Sequence, residues 1–144
     1  QIDEAKSSGA RILTGGSATQ FEGKGRFFSP TIVADTDHSM SIAKEESFGP
    51  VIAIQKVSSD QQAIEKMNDS EFGLTASIWT SDIERGRKLL PQLEAGTVFL
   101  NRADYLDPHL AWTGVKDSGK GASLSALGFH AVTRPKSYHL RLKV

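Results

Sequence analysis

Cysteine is absent from the 144-residue sequence. The absence excludes disulfide bonds, cysteine-ligated zinc and thiol nucleophiles from this chain, and it fits a cytoplasmic location. A surplus of either charge is also lacking, because 17 Lys and Arg balance 17 Asp and Glu. A dedicated nucleic-acid-binding protein is normally basic, so no nucleic-acid partner is expected. No apolar run approaches the roughly 20 residues that cross a bilayer, and no membrane partner is expected either.

Motifs for metal and nucleophile chemistry are lacking as well. The four histidines are never three to five residues apart, so no metal site is predicted. The G-x-S-x-G pattern of a nucleophile elbow does not occur. Residues 114–121 resemble a P-loop, but Gly121 stands where a Ser or Thr would hold Mg²⁺. We interpret this segment as a glycine-rich loop, with phosphate binding as the alternative.

The middle of the chain predicts alternating strands and helices. Residues 51–57 are nearly all apolar, which is typical of a strand buried on both faces. Ser59 and Gln62 form the capping box of the helix that follows. Two later apolar runs, 76–80 and 97–100, predict further strands.

A second helix is predicted between the last two of these strands. Ser81 and Glu84 have the spacing of a capping box, and Pro91 is expected to kink or end the helix. Strands and helices that alternate at such short intervals form βαβ units. The predicted fold class is therefore α/β, with βαβ units and a mainly parallel sheet.

The flanks of this region predict shorter elements. Residues 1–8 have the pattern of a helix tail, and the polar, Gly-rich residues 17–26 indicate a loop or hairpin tip. Residues 27–33 contain a proline, which predicts an edge or interrupted strand. A short helix is expected over residues 124–132. Residues 137–144 alternate apolar and polar side chains, so they predict a strand that pairs with something outside this core.

Two loops contain the candidate functional residues. Glu45, Glu46 and Phe48 precede a Gly-Pro turn into the strand at 51–57. Adjacent carboxylates are usually just solvated, but α/β proteins bind ligands on loops at strand ends, which favours a binding role here. Trp112 lies in a loop rich in Gly and is a candidate pocket wall, with local packing as the alternative.

Four motifs in this sequence resemble those of the aldehyde dehydrogenase family. K-E-E-S-F-G-P-V at residues 44–51 resembles the family's E-E-x-F-G-P-V, and N-D-S-E-F-G-L at 68–74 resembles N-x-x-x-Y/F-G-L. A-G-T-V-F-L-N at 95–101 and W-T-G-V-K-D-S-G at 112–119 resemble A-G-x-V-x-x-N and F-G-G-x-K-x-S-G. One such motif would carry little weight, but four in the family's order and spacing are specific.

The resemblance implies a fold and an activity. Members of the family combine a Rossmann-like cofactor domain, an α/β catalytic domain and a small antiparallel oligomerisation sheet. They oxidise aldehydes to carboxylic acids with NAD or NADP through a cysteine thioester. By resemblance, residues 1–136 are the C-terminal part of the catalytic domain and residues 137–144 are a strand of the oligomerisation sheet. A homo-oligomer, either dimer or tetramer, is expected.

The same resemblance assigns roles to five residues. Glu46 matches the carboxylate that binds the nicotinamide ribose hydroxyls, and Phe48 matches the aromatic residue beside the nicotinamide ring. Trp112 matches an aromatic residue of the aldehyde tunnel. Leu106 falls where many members have another pocket aromatic, which implies a less bulky wall. Asn101 matches the family's Asn after the third strand, at the substrate pocket.

The family's catalytic residues are not expected in this chain. Its nucleophilic Cys, general-base Glu and Rossmann phosphate loop precede the matched segment. The implied partners are therefore the missing N-terminal cofactor and catalytic segments and an aldehyde substrate, and the 144 residues alone are expected to be inactive. The alternatives are a related acyl-phosphate or semialdehyde reductase, a non-catalytic binding or assembly module descended from the family, or a phosphate-binding protein that uses residues 114–121.

Overall fold

Two parallel strand pairs organise the fold, one in each half of the chain. The structure, a computed structural model, describes residues 1–143. The chain divides into two units, the first comprising residues 1–71 and the second beginning at Phe72. The structure is mixed α/β and contains parallel strand pairs, which confirms the predicted α/β class.

The first unit is built around a three-stranded sheet. Its elements are α1 (Ile2–Ser7), β1 (Arg11–Thr14), β2 (Ala18–Phe21), β3 (Lys24–Phe28), β4 (Thr31–Ala34), α2 (Ser41–Lys44), β5 (Val51–Ile54) and α3 (Asp60–Asn68). The strand order is β1-β4-β5, with β4 antiparallel to β1 and parallel to β5. Val33 of β4 belongs to the same core cluster as Ile2 and Ala5 of α1, and the N–H of Thr31, at the start of β4, donates to the carbonyl of Pro50.

The prediction that residues 27–33 form an edge or interrupted strand is half right. The segment is interrupted at Ser29-Pro30, but β4 after the break is the central strand of its sheet. Pro30 precedes β4, so its missing N–H removes no bond from the ladder. Before the break, β2 and β3 pair as an antiparallel hairpin whose tip is Glu22-Gly23, in agreement with the predicted loop or hairpin tip.

A small apolar core holds α1 and α2 on the sheet. Ala5 and Val33 are completely buried, and Met40 and Ile42 are 3% and 8% exposed. Burying a side chain such as Val stabilises the folded state by about 1.5–3 kcal/mol. Because Met40 and Ile42 flank the start of α2, this core fixes one face of that short helix.

The prediction that residues 51–57 form a strand buried on both faces is wrong for this chain. The strand β5 is shorter, Val51–Ile54, and its Ile52 and Ile54 are 62% and 43% exposed. The strand lies at the end of the β1-β4-β5 order, and only its other face packs against the core cluster, through Val51 and Ala53. The apolar run therefore indicates a face that this chain does not cover.

The second unit contains the other parallel strand pair. Its elements are β6 (Phe72–Gly73), β7 (Thr75–Ile78), α4 (Ile83–Leu89), a 3-10 turn (Leu90–Gln92), β8 (Thr97–Leu100), β9 (Trp112–Thr113), β10 (Val115–Lys116), β11 (Ala122–Ser123) and α5 (Ser125–Val132). Strands β7 and β8 pair in parallel over four residues. The short strands pair antiparallel, β6 with β10 and β9 with β11.

Side-chain caps start the two helices that link the strands. The hydroxyl of Ser59 accepts a hydrogen bond from the Gln62 N–H at 3.1 Å, as the first capping box predicts. The prediction for α4 is wrong by one residue, because Asp82, and not Ser81, is the cap and accepts from the Arg85 N–H at 3.0 Å. Both residues are suitable caps, so the sequence alone favours neither.

The C-terminal segment has no regular structure where it is described. Residues 133–143 lie in no helix or strand, and Val144, the end of the predicted strand, lies outside the described residues. A strand there needs a pairing partner, so the 137–144 strand stays a prediction. In the described part of the chain, no helix has both the length and the apolar character needed to cross a membrane.

Candidate functional site

The loop that contains Glu46 is fixed at both ends. At its start, the Glu45 N–H donates to the carbonyl of Ser41 at 2.8 Å and closes the last turn of α2. At its end, the carbonyl of Pro50 accepts from the N–H of Thr31, also at 2.8 Å, which joins the loop to strand β4. The six residues between α2 and β5 are thus held between a helix and a central strand.

The two predicted cofactor contacts on this loop point to solvent. Glu46 is exposed, and within residues 1–143 its carboxylate has no hydrogen bond or ion pair. Phe48 is 94% exposed. An ionised carboxylate can accept several hydrogen bonds. Covering a fully exposed aromatic ring with a partner removes apolar surface from water and lowers the free energy of the system. The loop therefore presents an acceptor and an apolar surface that are both free to contact a ligand.

A cleft lies beside the same loop, within the first unit. Its volume is about 720 Å³, and it is lined by the loop residues Ser47, Gly49 and Pro50 on one side. Gly16 and Phe28 are among the residues on its other sides. The volume is in the range of small-molecule sites, so the loop borders a cleft that a ligand could enter.

Asn101, a predicted pocket residue, directly follows β8 and connects it to Thr80, two residues after the end of β7. Its side-chain Oδ1 accepts from the Thr80 N–H and its Nδ2 donates to the Thr80 carbonyl, each at 2.8 Å. Its backbone lies in the left-handed region, at φ +53°. The side-chain amide makes one hydrogen bond at each end, both to the backbone of Thr80, so the structure gives Asn101 a structural role, and a contact with substrate stays a prediction.

Replacing Asn101 with Ala is expected to destabilise the complete enzyme by about 1–2 kcal/mol, because two hydrogen bonds are lost. Asn101→Gly loses the same bonds but relieves the positive φ, so it is expected to be the milder change. Thermal unfolding of both variants measures the difference. Equal stability of the wild type and Asn101→Ala would show that the Thr80 contacts contribute nothing.

Leu106 lies in the loop that leaves β8. It is 58% exposed, and the preceding Tyr105 is covered on one face by the Arg102 guanidinium, 3.5 Å from the ring centroid. Farther along, Asp107 accepts from the His109 N–H at 2.9 Å, and its pKa is lowered, first by that backbone hydrogen bond. These contacts order the loop and leave the Leu106 side chain available to line a pocket.

Trp112 belongs to the ribbon of β9 and β11. It is half-buried and pairs across the ribbon with Ser123. Next to it, the Thr113 hydroxyl donates to the carbonyl of Gly121 at 2.7 Å and ties the two strands together. The ring is therefore both partly packed and partly accessible, so the pocket and packing interpretations both agree with the structure.

The glycine-rich segment 114–121 uses its own backbone donors. The N–H groups of Ser118 and Gly119 donate within the loop, at 3.2 and 3.4 Å, to the carbonyls of Val115 and Lys116. The Ser118 hydroxyl accepts from the Gly73 N–H at 2.9 Å. A phosphate cradle needs such N–H groups to point at the ligand. The geometry therefore favours a structural turn over phosphate binding.

The structure places the predicted site residues in two groups. Glu46 and Phe48 share one loop of the first unit, whereas Asn101, Leu106 and Trp112 follow β8 in the second unit. Among residues 1–143, no three His, Cys, Asp or Glu side chains are grouped so that they could hold a metal ion. The sequence missed one cluster, in which Asp69 contacts His38 and Lys44.

The fold and the loop define the class of protein to which this chain belongs. It is part of an α/β protein in which an exposed carboxylate and an exposed aromatic ring lie on a loop held at both ends. The model of the aldehyde dehydrogenase family matches residues 1–138. The chain therefore belongs to the aldehyde dehydrogenase family.

A betaine aldehyde dehydrogenase and a succinate semialdehyde dehydrogenase are among the proteins similar to this chain. The chain is 42% identical over 127 residues to the chloroplastic betaine aldehyde dehydrogenase of Beta vulgaris. The matched segment covers 88% of this chain and 25% of that protein. It is 41% identical over 130 residues to the succinate semialdehyde dehydrogenase [NAD(P)+] of Escherichia coli, and this match covers 90% of this chain and 28% of that protein. The chain thus spans about a quarter of the length of these relatives.

Solved structures agree with this assignment. An indole-3-acetaldehyde dehydrogenase in complex with NAD+ superposes with a TM-score of 0.89 at 33% identity, over 98% of this chain and 28% of that one. A betaine aldehyde dehydrogenase from Staphylococcus aureus in complex with NAD+ gives a TM-score of 0.84 at 35% identity, over 90% and 26%. Both comparisons support the α/β fold described above.

Proposed function

We propose that this chain is the C-terminal part of the catalytic domain of an NAD(P)-dependent aldehyde dehydrogenase. The complete enzyme would oxidise an aldehyde to a carboxylic acid through a cysteine thioester. The observation that carries the proposal is the Glu46 carboxylate, which is exposed and has no partner in residues 1–143, on a loop that is fixed at both ends. Family membership and the NAD+ complexes of similar structures support it.

Glu46 is proposed to bind the nicotinamide ribose. Two neighbouring hydroxyls can both donate to one carboxylate, and such charge-assisted hydrogen bonds are shorter and stronger than neutral ones. Because the backbone of the loop is fixed at α2 and at β4, only the Glu46 side chain would need to be ordered when the sugar binds. The residues present therefore fit the ribose of a dinucleotide, whose nicotinamide ring would supply the hydride acceptor.

The remaining predicted residues would shape the reaction chamber. Phe48 would pack beside the nicotinamide ring and restrict its position for hydride transfer. Trp112 and Leu106 would line the aldehyde tunnel, and Asn101 would border the substrate pocket while its amide holds Thr80. None of these groups can attack an aldehyde carbonyl, so the nucleophilic Cys would come from a preceding segment of the enzyme.

The assembly is proposed to be a homo-oligomer, dimer or tetramer, in the cytoplasm. Residues 137–144 would add a strand to an oligomerisation sheet. Their alternate apolar side chains support this, since Tyr138, Leu140 and Leu142 are 75%, 75% and 89% exposed in this chain. The exposure of Ile52 and Ile54 on β5 likewise argues against a free-standing binding module, because a self-contained unit would cover them.

Turnover by the complete protein tests the proposal. Reduction of NAD+ and NADP+ is followed with a cationic, an anionic and an aromatic aldehyde, because the named relatives differ in substrate charge. We expect reduced dinucleotide with at least one aldehyde. The purified 144-residue chain is expected to give none. Turnover by the chain alone, or no turnover by the complete protein with any of them, would contradict the proposal.

A further inference from the structure

Helix α2, which leads into the Glu46 loop, is held at both ends by carboxylates from other elements. At its start, Glu4 of α1 accepts from the Ser41 N–H at 3.0 Å and from the Ser41 hydroxyl. At its end, Asp69 beside α3 accepts from the Lys44 ammonium at 3.1 Å. The four-residue helix is thus fixed to two longer helices, one at each end.

The helix needs these contacts because it is too short to be stable alone. Isolated helices of fewer than about 12 residues are marginal in water. Its N-cap residue, Met40, makes no side-chain cap hydrogen bond. The carboxylate of Glu4 therefore replaces the missing cap, and negative charge at a helix start is favourable. The same hydrogen bonds to Ser41 lower the pKa of Glu4, so the group stays charged at neutral pH.

Asp69 connects three points of the first unit. Its Oδ2 lies 2.7 Å from His38 Nδ1, and its Oδ1 lies 3.1 Å from Lys44 Nζ. Asp69 itself is the C-cap of α3, where its N–H donates to the carbonyl of Glu65 at 3.0 Å. The hydrogen bond from His38, followed by that from Lys44, lowers the pKa of Asp69. A charged carboxylate at the end of α3 thereby contacts His38, which precedes α2, and Lys44, the last residue of α2.

The position of α2 sets the position of Glu46. The helix ends at Lys44, and only Glu45 separates it from Glu46. The downstream end of the loop is joined to β4, so a shift of α2 would have to be absorbed by the few residues between them. We propose that Asp69 and Glu4 are positioning residues for the Glu46 carboxylate, which they hold in place through α2. This inference rests on the proposed role of Glu46.

A double-mutant cycle in the complete enzyme tests the coupling. Asp69→Asn is expected to raise KM for the dinucleotide and to slow hydride transfer about 10-fold, since small misplacements of reacting groups are costly. If Asp69 acts only through Glu46, adding Asp69→Asn to Glu46→Gln is expected to cause no further loss. Glu84→Gln is the control, because it removes a carboxylate charge from an exposed ion pair, 3.6 Å from Arg87, on α4 of the second unit. It is expected to change neither constant.

A second pair of variants keeps the test independent of folding. Lys44→Met removes one contact of Asp69 but leaves that with His38, and Lys44→Arg keeps the charge. Lys44→Met is expected to raise KM in the same direction, and Lys44→Arg to restore it. Full additivity with Glu46→Gln, or no effect of Asp69→Asn and Lys44→Met on either constant, would overturn the inference. A silent Glu46→Gln would instead overturn the proposed function on which it rests.

Discussion

Replacing Glu46 with Gln in the complete enzyme is expected to slow hydride transfer about 10- to 100-fold and to leave the fold intact. Hydrogen bonds to a charged group contribute about 1.5–3 kcal/mol, and an amide keeps the shape of the side chain but loses the charge. The carboxylate makes no hydrogen bond or ion pair within residues 1–143, so its replacement removes no such contact from the fold. Within this part of the enzyme, the loss should therefore fall on the cofactor contact.

The neighbouring Glu45 offers a matched control for this substitution. It is also exposed, and its N–H, which the substitution keeps, makes the bond that ends α2. Single-turnover kinetics measure hydride transfer for Glu46→Gln and Glu45→Gln, and thermal unfolding checks the fold of each. We expect a loss only in Glu46→Gln. Equal rates in both variants would show that Glu46 does not hold the ribose.

Replacing Gly96 with Ala is expected to destabilise the second unit by about 3 kcal/mol. A Cβ at Gly96 would lie 1.8 Å from the Thr113 carbonyl oxygen and 2.4 Å from its carbon. Both atoms are backbone, so no side-chain rotation can relieve the overlap, and the ribbon of β9 would have to move. Because β9 contains Trp112, the shift would also disturb the proposed tunnel wall.

Gly49 provides the comparison for the Gly96 substitution. A Cβ there would meet Val51 Cγ2 at 3.8 Å, an ordinary van der Waals distance. Thermal unfolding of the complete enzyme is expected to show a marked loss of stability for Gly96→Ala and a small change for Gly49→Ala. Similar unfolding temperatures for the two variants would mean that β9 does not pack against Gly96 as described.

Local patterns predicted much of this fold. The strand at 97–100 has the predicted bounds, and Ser59 caps its helix as expected. Both depend on short-range features: apolar runs, caps and glycine stops. The exposed face of β5 was not predictable in the same way, because burial depends on which other elements cover a strand. An apolar run shows only that a face is suited to burial.

In the candidate site, too, the local motif could be predicted from the sequence, whereas the long-range contacts could not. The motif around Glu46 and Phe48 identified a loop that the structure shows to be exposed and fixed at both ends. The contacts that hold α2, the helix before this loop, were not visible in the sequence, because Glu4 and Ser41 are 37 positions apart and Lys44 and Asp69 are 25 apart. Pairings at such separations follow from tertiary packing, which no local motif specifies.

A crystal structure of the complete enzyme with NAD+ is the most direct test of the role of Glu46. We expect its carboxylate oxygens to lie about 2.5–3.0 Å from the hydroxyl oxygens of the nicotinamide ribose, the range of O–H···O hydrogen bonds. We also expect Phe48 to contact the nicotinamide ring. A ribose held by other residues, with the Glu46 carboxylate still in solvent, would show that Glu46 does not bind the cofactor.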